Sequence, residues 1–492
     1  RPRLLSPLPA VVVFVLVAGF GYLITKDARP PAGPTLRERG RPAPPGKPNL
    51  ILIAVDTLRA DHVSADARLR GLSPVPVETP AMDRLAGDGT LFLNAISQSS
   101  WTKPSFATFL TGLYPSTHGA VHKLHRLPEE VETLAEILSS AGYVTGALAN
   151  NVNISPTFNF QQGFTDYRYL RPDLPFRAPE TGDHLVFYRA LRVVNERFLG
   201  GGRNPREYYW PAEDVNREAF RWIEANAQRP FFLMIHYMDP HDPYFERPLN
   251  GRFYARIRNP NPDPSLAGLY AKAYAQEVRY LDTHIANLLD FLKARGLYDN
   301  SLIVLLADHG EEFHEHEGWW HGTSLFEEQV RVPLILKFPK GANAGKAHRG
   351  VVELLDVPPT LLEAAGLPRG KRMQGKSLAK LAADGETAAG SPALSELNLE
   401  GQVMSSSRAD RWKWIRANPG NPRRLPPESL YDITKDPGER ENLAGREPAL
   451  GREMDQKLKG ALDAARKGAV PQEKVTLDPA TEERLRSLGY IE

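Results

Sequence analysis

Four mainly apolar runs, two of which stop directly at an aspartate, constrain this chain most. They are Asn49–Val55, Phe231–Tyr237, Leu302–Ala307 and Val332–Phe338. Each is long enough for one strand, and NLILIAV and SLIVLLA are apolar at every position after the first, so both faces of such a strand must be covered. Between them lie segments with helical spacing: Thr79–Leu85, Leu127–Leu138, Ala212–Asn226, Tyr270–Arg295 and Leu354–Ala365, with a further helix expected at Asp183–Phe198. Strands at Leu91–Ala95 and Tyr143–Leu148 complete the alternation. Buried strands alternating with helices predict an α/β fold around a central, mostly parallel sheet. After the Gly/Ala/Ser-rich stretch near residues 382–392 the pattern changes to short strands at Ala393–Leu397, Gln402–Ser406, Trp412–Ala417 and Ser429–Asp432, followed by a helix at Ala449–Lys467. These predict a small antiparallel sheet appended to the main domain.

In an open α/β sheet, ligands bind beyond the carboxyl ends of the strands. Asp56 follows the first run and Asp308-His309 the third. Thr102 opens the stretch TKPSFATFLTG, whose Pro104 is tolerated in the first turn of a helix. Alone, such a threonine reads as an N-cap. Beside two acidic strand ends it reads as part of a site.

Composition narrows the classes. The 61 basic and 59 acidic side chains leave a net charge of +2, which gives no support to a nucleic-acid partner. Cysteine is absent, which rules out disulfides and thiolate metal sites. Leu8–Ile24 carries no charge and is long enough to span a bilayer; Pro- and Arg-rich residues follow it up to Pro48. The expected layout is a membrane anchor or signal segment at 1–28, a linker at 29–47, a catalytic domain at 48–385 on the exported face, and a C-terminal subdomain at 386–492.

TKPSFATFLTG resembles the signature of the sulfatases, a branch of the alkaline phosphatase superfamily. The resemblance continues through PSTHG at Pro115–Gly119, DPHDPY at Asp239–Tyr244, ADHGEEFHEHEGWWHG at Ala307–Gly322 and LYDITKDPGERENL at Leu430–Leu443. It implies a divalent cation (calcium, manganese or zinc) held by Asp56, Thr102, Asp308 and His309, with Thr102 as nucleophile. It also implies catalytic roles for His241 and His321. His118 and His236 are expected to be structural, and His314 and His316 to lie on a solvated loop, the alternative being that they serve a second metal.

The chain departs from the family pattern in ways that bear on chemistry. Thr57 stands where a second aspartate is usual, which tilts the cation towards manganese or zinc, and Phe106 where the signature has arginine. Thr102 occupies the position whose Cys or Ser is oxidised to formylglycine in true sulfatases; a threonine cannot become that aldehyde. Asn150 falls where a substrate-binding lysine is expected, so Lys103 or Arg59 would have to supply the charge. The expectation is a hydrolase of sulfate or phosphate esters, with phosphate favoured by the unmodified threonine. The alternatives are a membrane-linked transferase of phospho-headgroups to lipid or glycan, and a non-catalytic binding protein on the same scaffold.

Overall fold

The computed structural model describes residues 46–172, 204–384 and 392–487. The expected helix at Asp183–Phe198 and the apolar Leu8–Ile24 run lie outside the described residues. Among those residues, no helix is long and apolar enough to cross a membrane.

Eight strands form the main sheet: β1 (Asn49–Val55), β2 (Thr90–Ile96), β3 (Val144–Ala149), β4 (Asp166–Tyr169), β5 (Phe231–Tyr237), β6 (Ser301–Ala307), β7 (Arg331–Lys337) and β8 (Lys346–Glu353). Their spatial order is β8-β2-β7-β6-β1-β5-β3-β4. All pairings are parallel except those of β7, which runs against both β2 and β6. Every residue of β1, β5 and β6 is buried, as their predominantly apolar sequences require when helices cover both faces. Helices α1 (Pro80–Gly87), α2 (Thr102–Thr111), α3 (Leu134–Ser140), α4 (Ala212–Asn226), α5 (Ala267–Ala294) and α6 (Val357–Ala364) supply the cover. They fall into two groups: α5 packs on α1 and α4, and α2 packs on α3 and α6.

One helix begins later than its spacing suggests. The segment expected to be helical from Leu127 turns instead, and α3 starts at Leu134. The reason is a reciprocal cap: the Thr133 hydroxyl accepts from the Glu136 amide at 3.1 Å, and the Glu136 carboxylate accepts from the Thr133 amide at 2.8 Å. The T-x-x-E pattern was present in the sequence and outweighs the apolar spacing before it.

The second sheet is antiparallel, in the order β9 (Ala393–Leu399), β10 (Gln402–Arg408), β11 (Trp412–Ala417), β12 (Glu428–Asp432), and α7 (Pro448–Arg466) packs beside it. It docks on the loop that leads into α2. Glu396 donates its amide to the Gln98 carbonyl at 2.8 Å, and the Ser395 hydroxyl donates to the Ser97 carbonyl at 2.6 Å. Trp101 packs in the same cluster as Leu397, Leu399 and Met404. The appended sheet therefore buttresses the entry to α2.

Candidate active site

The register of the central strands brings the acidic residues together. Val55 pairs with both Ala307 and Tyr237, so Asp56 and Asp308 leave adjacent strands at the same level. Each carboxylate has one oxygen anchored. Asp308 Oδ1 accepts from the amides of Thr57 at 3.2 Å and His309 at 2.9 Å; Asp56 Oδ2 accepts from the Asn151 side chain at 2.9 Å. The other oxygens, Asp56 Oδ1 and Asp308 Oδ2, are buried without a hydrogen-bond partner among the described residues. Both face His309 Nε2, at 3.7 and 3.4 Å. Nδ1 of His309 lies 2.9 Å from the Gly310 carbonyl, which can only accept, so Nδ1 carries the proton and Nε2 presents a lone pair.

Two bare carboxylate oxygens and one imidazole lone pair within a few ångströms form a cation cradle. The charges agree. Burial, then the neighbouring Asp56 charge, pushes Asp308 well above the carboxylate range. Burial opposes ionisation of Asp56, but the charge of His241 and the approach of His236 at 3.4 Å hold it low. Burial, then His321, pulls His309 down to about 3. A divalent cation would relieve the repulsion between the carboxylates and satisfy all three atoms, so the residues present fit one.

Thr102 is the first residue of α2, and the cap position belongs to Trp101. The threonine Oγ1 lies 3.4 Å from His309 Nε2, its hydrogen-bond partner among the described residues. The simple N-cap reading is thereby excluded. The turn ahead of the helix is fixed by Ser105, whose hydroxyl donates to the Ser99 carbonyl and meets that of Ser97, both at 3.0 Å. Phe106 packs edge-on against His236 at 4.9 Å, and His236 Nε2 approaches Asp56 Oδ2 at 3.4 Å. His236, expected to be structural, thus forms part of the wall behind Asp56.

His241 and His321 stand over the same cradle: the ring of His321 lies 4.5 Å from that of His309 and 5.0 Å from that of His241. Burial opposes protonation of His241, yet Asp56, Asp242 and Glu311 raise it above the ordinary range. Burial, then the charges of His241 and Arg256, pulls His321 down to about 3. His321 Nδ1 lies 3.1 Å from Glu311, which also accepts from Tyr244 at 2.7 Å. Its Nε2 has no hydrogen-bond partner among the described residues. Burial pushes Glu311 up to about 7.

Other expected residues sit elsewhere. The Lys103 ammonium bonds the carbonyls of His122 and Lys123 and lies 3.4 Å over the Phe158 ring, with burial pulling it well below the usual lysine range. Arg59 is tied to Asp61 and Glu315. Asn150 donates to the Trp210 carbonyl at 2.7 Å and does not line the cradle; its neighbour Asn151 reaches Asp56. His316 is not solvated as expected: it stacks on Phe326 and pairs with Glu328 at 2.7 Å, which raises it to about 9 against the effect of burial. Glu312, in the same group, is taken by Arg423 at 2.8 Å. His118 matches its expected structural part, with Thr108 at 3.2 Å and the Ala120 amide at 3.1 Å.

Sequence reasoning missed Asn151 and Glu311. Neither carries a motif of its own, although Glu311 lay inside the quoted ADHGEEF stretch. Thr57, in the usual place of a second aspartate, is buried with φ of +58° and its hydroxyl lacks a partner among the described residues. A β-branched residue in the left-handed region costs about 1–3 kcal/mol, and such strain gathers at functional sites.

Comparison with known proteins places this geometry. Residues 48–367 match the family model described as sulfatase, and residues 314–468 match that of the N-sulphoglucosamine sulphohydrolase C-terminal region. The chain is 26% identical to a choline-sulfatase of Rhizobium meliloti, over 81% of this chain and 83% of that protein. It is 25% identical to a multifunctional alkaline phosphatase superfamily protein of Trinickia caryophylli, over 69% and 77%. In fold it matches a protein solved in complex with its substrate D-glucosamine-2-N,6-O-disulfate (TM-score 0.68, 21% identity, 85% of this chain and 98% of that one). It also matches the phosphonate monoester hydrolase of Agrobacterium radiobacter (TM-score 0.65, 21% identity, 85% and 96%).

Proposed function

From the premise that the chain belongs to the sulfatase family, we propose that it is a metal-dependent hydrolase of sulfate and phosphate esters that uses Thr102, unmodified, as its nucleophile, with phosphate esters favoured. The observation that carries this reading is the Thr102 hydroxyl at 3.4 Å from His309 Nε2, beside two bare carboxylate oxygens. The named relatives are compatible with it, since they include a choline-sulfatase, a multifunctional superfamily member and a phosphonate monoester hydrolase.

A divalent cation bound by Asp56, Asp308 and His309, with Thr102 beside it, would supply Lewis acidity that acidifies the hydroxyl and offsets charge on a non-bridging oxygen. Thr102 Oγ1 attacks phosphorus as its proton passes to the neutral His321. The bond from phosphorus to the leaving oxygen breaks, and that oxygen takes a proton from His241. Water then attacks the phosphothreonine and gives a proton to His241. Thr102 recovers its own from His321, so the enzyme returns to its starting state. With the N-terminal segment as an anchor, this chemistry would take place at the exported face of a membrane.

The test is mass spectrometry of the Thr102 peptide from protein quenched during turnover of an aryl phosphate diester, with aryl sulfate in parallel. A phosphate-mass adduct absent from Thr102→Ala is the expected result. Metal-dependent sulfate release with no phosphoester turnover would overturn the threonine-phosphate reading.

A further inference from the structure

The tip of the β9–β10 hairpin joins two cations of the main domain. Glu400, with φ of +49° in the turn, bonds Lys123 Nζ through Oε1 and faces Arg256 Nη2 at 3.4 Å through Oε2. Both cations are tied to the candidate active site through their backbones. The Lys123 carbonyl accepts from Lys103, the neighbour of Thr102. The Arg256 amide donates to Asp242 at 3.1 Å, and the Asp242 carbonyl lies 2.6 Å from His241 Nδ1. The hairpin also leans on the turn that carries His321. Gly322 has φ of +71°, and a Cβ there would lie 2.7 Å from Leu399 Cδ2. The triad thus stands at the rim of the site, between the nucleophile helix and the His241 segment.

We propose that Lys123 and Arg256 form a subsite for a second anionic group on the substrate, with Glu400 occupying that subsite until the substrate displaces it. The substrate class is an ester whose body carries a carboxylate, sulfate or phosphate a few bonds from the scissile group. This inference rests on the ester-hydrolase reading of the site. Two cations from separate segments converge on one carboxylate, which leaves repulsion between them to be offset, although Arg256 also faces Glu311. Glu400 is the outermost member, with its side chain 41% exposed against 16% for Lys123 and 19% for Arg256. Among the described residues its carboxylate has no other polar partner. Exposed ion pairs of this kind contribute little to stability, so exchange of Glu400 for a substrate anion costs little. The same exchange orients the rest of the ester over Thr102.

The discriminating experiment compares methyl 4-nitrophenyl phosphate with carboxymethyl 4-nitrophenyl phosphate, which share a leaving group. Equilibrium binding to the Thr102→Ala protein is measured by calorimetry, and turnover is measured with the unaltered protein. If near-ultraviolet circular dichroism shows that Thr102→Ala does not fold, the unaltered protein stripped of metal takes its place. The carboxymethyl ester is expected to bind about five- to ten-fold more tightly. Lys123→Gln should bring that ratio close to one, and Glu400→Gln should increase it by freeing the cations. Equal binding of the two esters, a ratio unmoved by Lys123→Gln, or no binding of either would overturn the subsite. Preferential binding without turnover of either ester would leave the subsite standing and refute the phosphate-ester reading instead.

Discussion

That Thr102 lies beside the two acidic strand ends was legible in the sequence, but that Trp101 takes the cap position ahead of it was not. The cap position is a backbone outcome that one residue of register could have reversed. Thr102→Ala should lower turnover on the order of 10³-fold or more, whereas Thr102→Ser keeps the hydroxyl and should retain measurable activity. Paired kinetics on the two variants check this, and equal loss in both would count against a hydroxyl nucleophile. The carboxylates allow a second prediction. Burial and the Asp56 charge disfavour ionisation of Asp308, so Asp308→Asn should stabilise the chelator-treated protein by roughly 1–3 kcal/mol. The same variant should forfeit the thermal shift that added manganese or zinc gives the unaltered protein. Thermal melts with chelator and with metal separate the two effects; a destabilised metal-free variant would contradict the repulsion argument.

At the scale of elements, the contact between the two sheets is sensitive to pH. Glu353, at the end of β8, accepts from Tyr114 at 2.9 Å and from the Leu394 amide at 2.9 Å; Gln98 lies 3.4 Å away, and Lys376 contributes charge from outside. Burial, then Asp356, pushes Glu353 up to about 8, and burial pushes Asp356 up to about 6. An unfolded glutamate titrates near 4.3, so the native state binds more protons between these values. Stability is therefore greatest at the acid end of the window and falls as pH rises through about 8, by roughly 5 kcal/mol for Glu353. Urea unfolding between about pH 5 and pH 9 should show the decline, and Glu353→Gln should remove most of it. The β9–β10 hairpin supports a further prediction. Gly322→Ala must displace Leu399, and the left-handed φ adds a strain of about 1 kcal/mol. The expected kinetic signature is a raised KM for a doubly anionic ester with a smaller change in kcat. A loss confined to kcat would place the damage at His321 rather than at the rim.

Across the whole molecule, the second sheet is part of the active site's support, because Trp101 is buried against Leu397 and Met404 and the loop at Ser97-Gln98 bonds β9. Truncation before Ala393 should therefore abolish soluble, cooperative folding of the main domain, not merely trim specificity. A truncated protein with an intact cooperative melt would show that the main domain stands alone.

The central strands, the second sheet and α4 with its ends could be read from the residues, as could the placing of Asp56 and Asp308-His309 at strand ends and of Thr102 at a helix start. Periodicity and strand-end chemistry are local properties, and a run of six apolar residues leaves little choice of environment. The sequence by itself also determined that Thr102 cannot become an aldehyde, since that follows from its covalent structure. Only the tertiary structure decided which carboxylate oxygens stay bare, that Asn151 rather than Asn150 reaches Asp56, and that Glu400 meets Lys123 and Arg256. The last of these contacts join residues far apart in the chain, with partners chosen by strand register and by the docking of one sheet on the loop of another. No local pattern records such a choice, because burial and charge pairing depend on the whole packed arrangement.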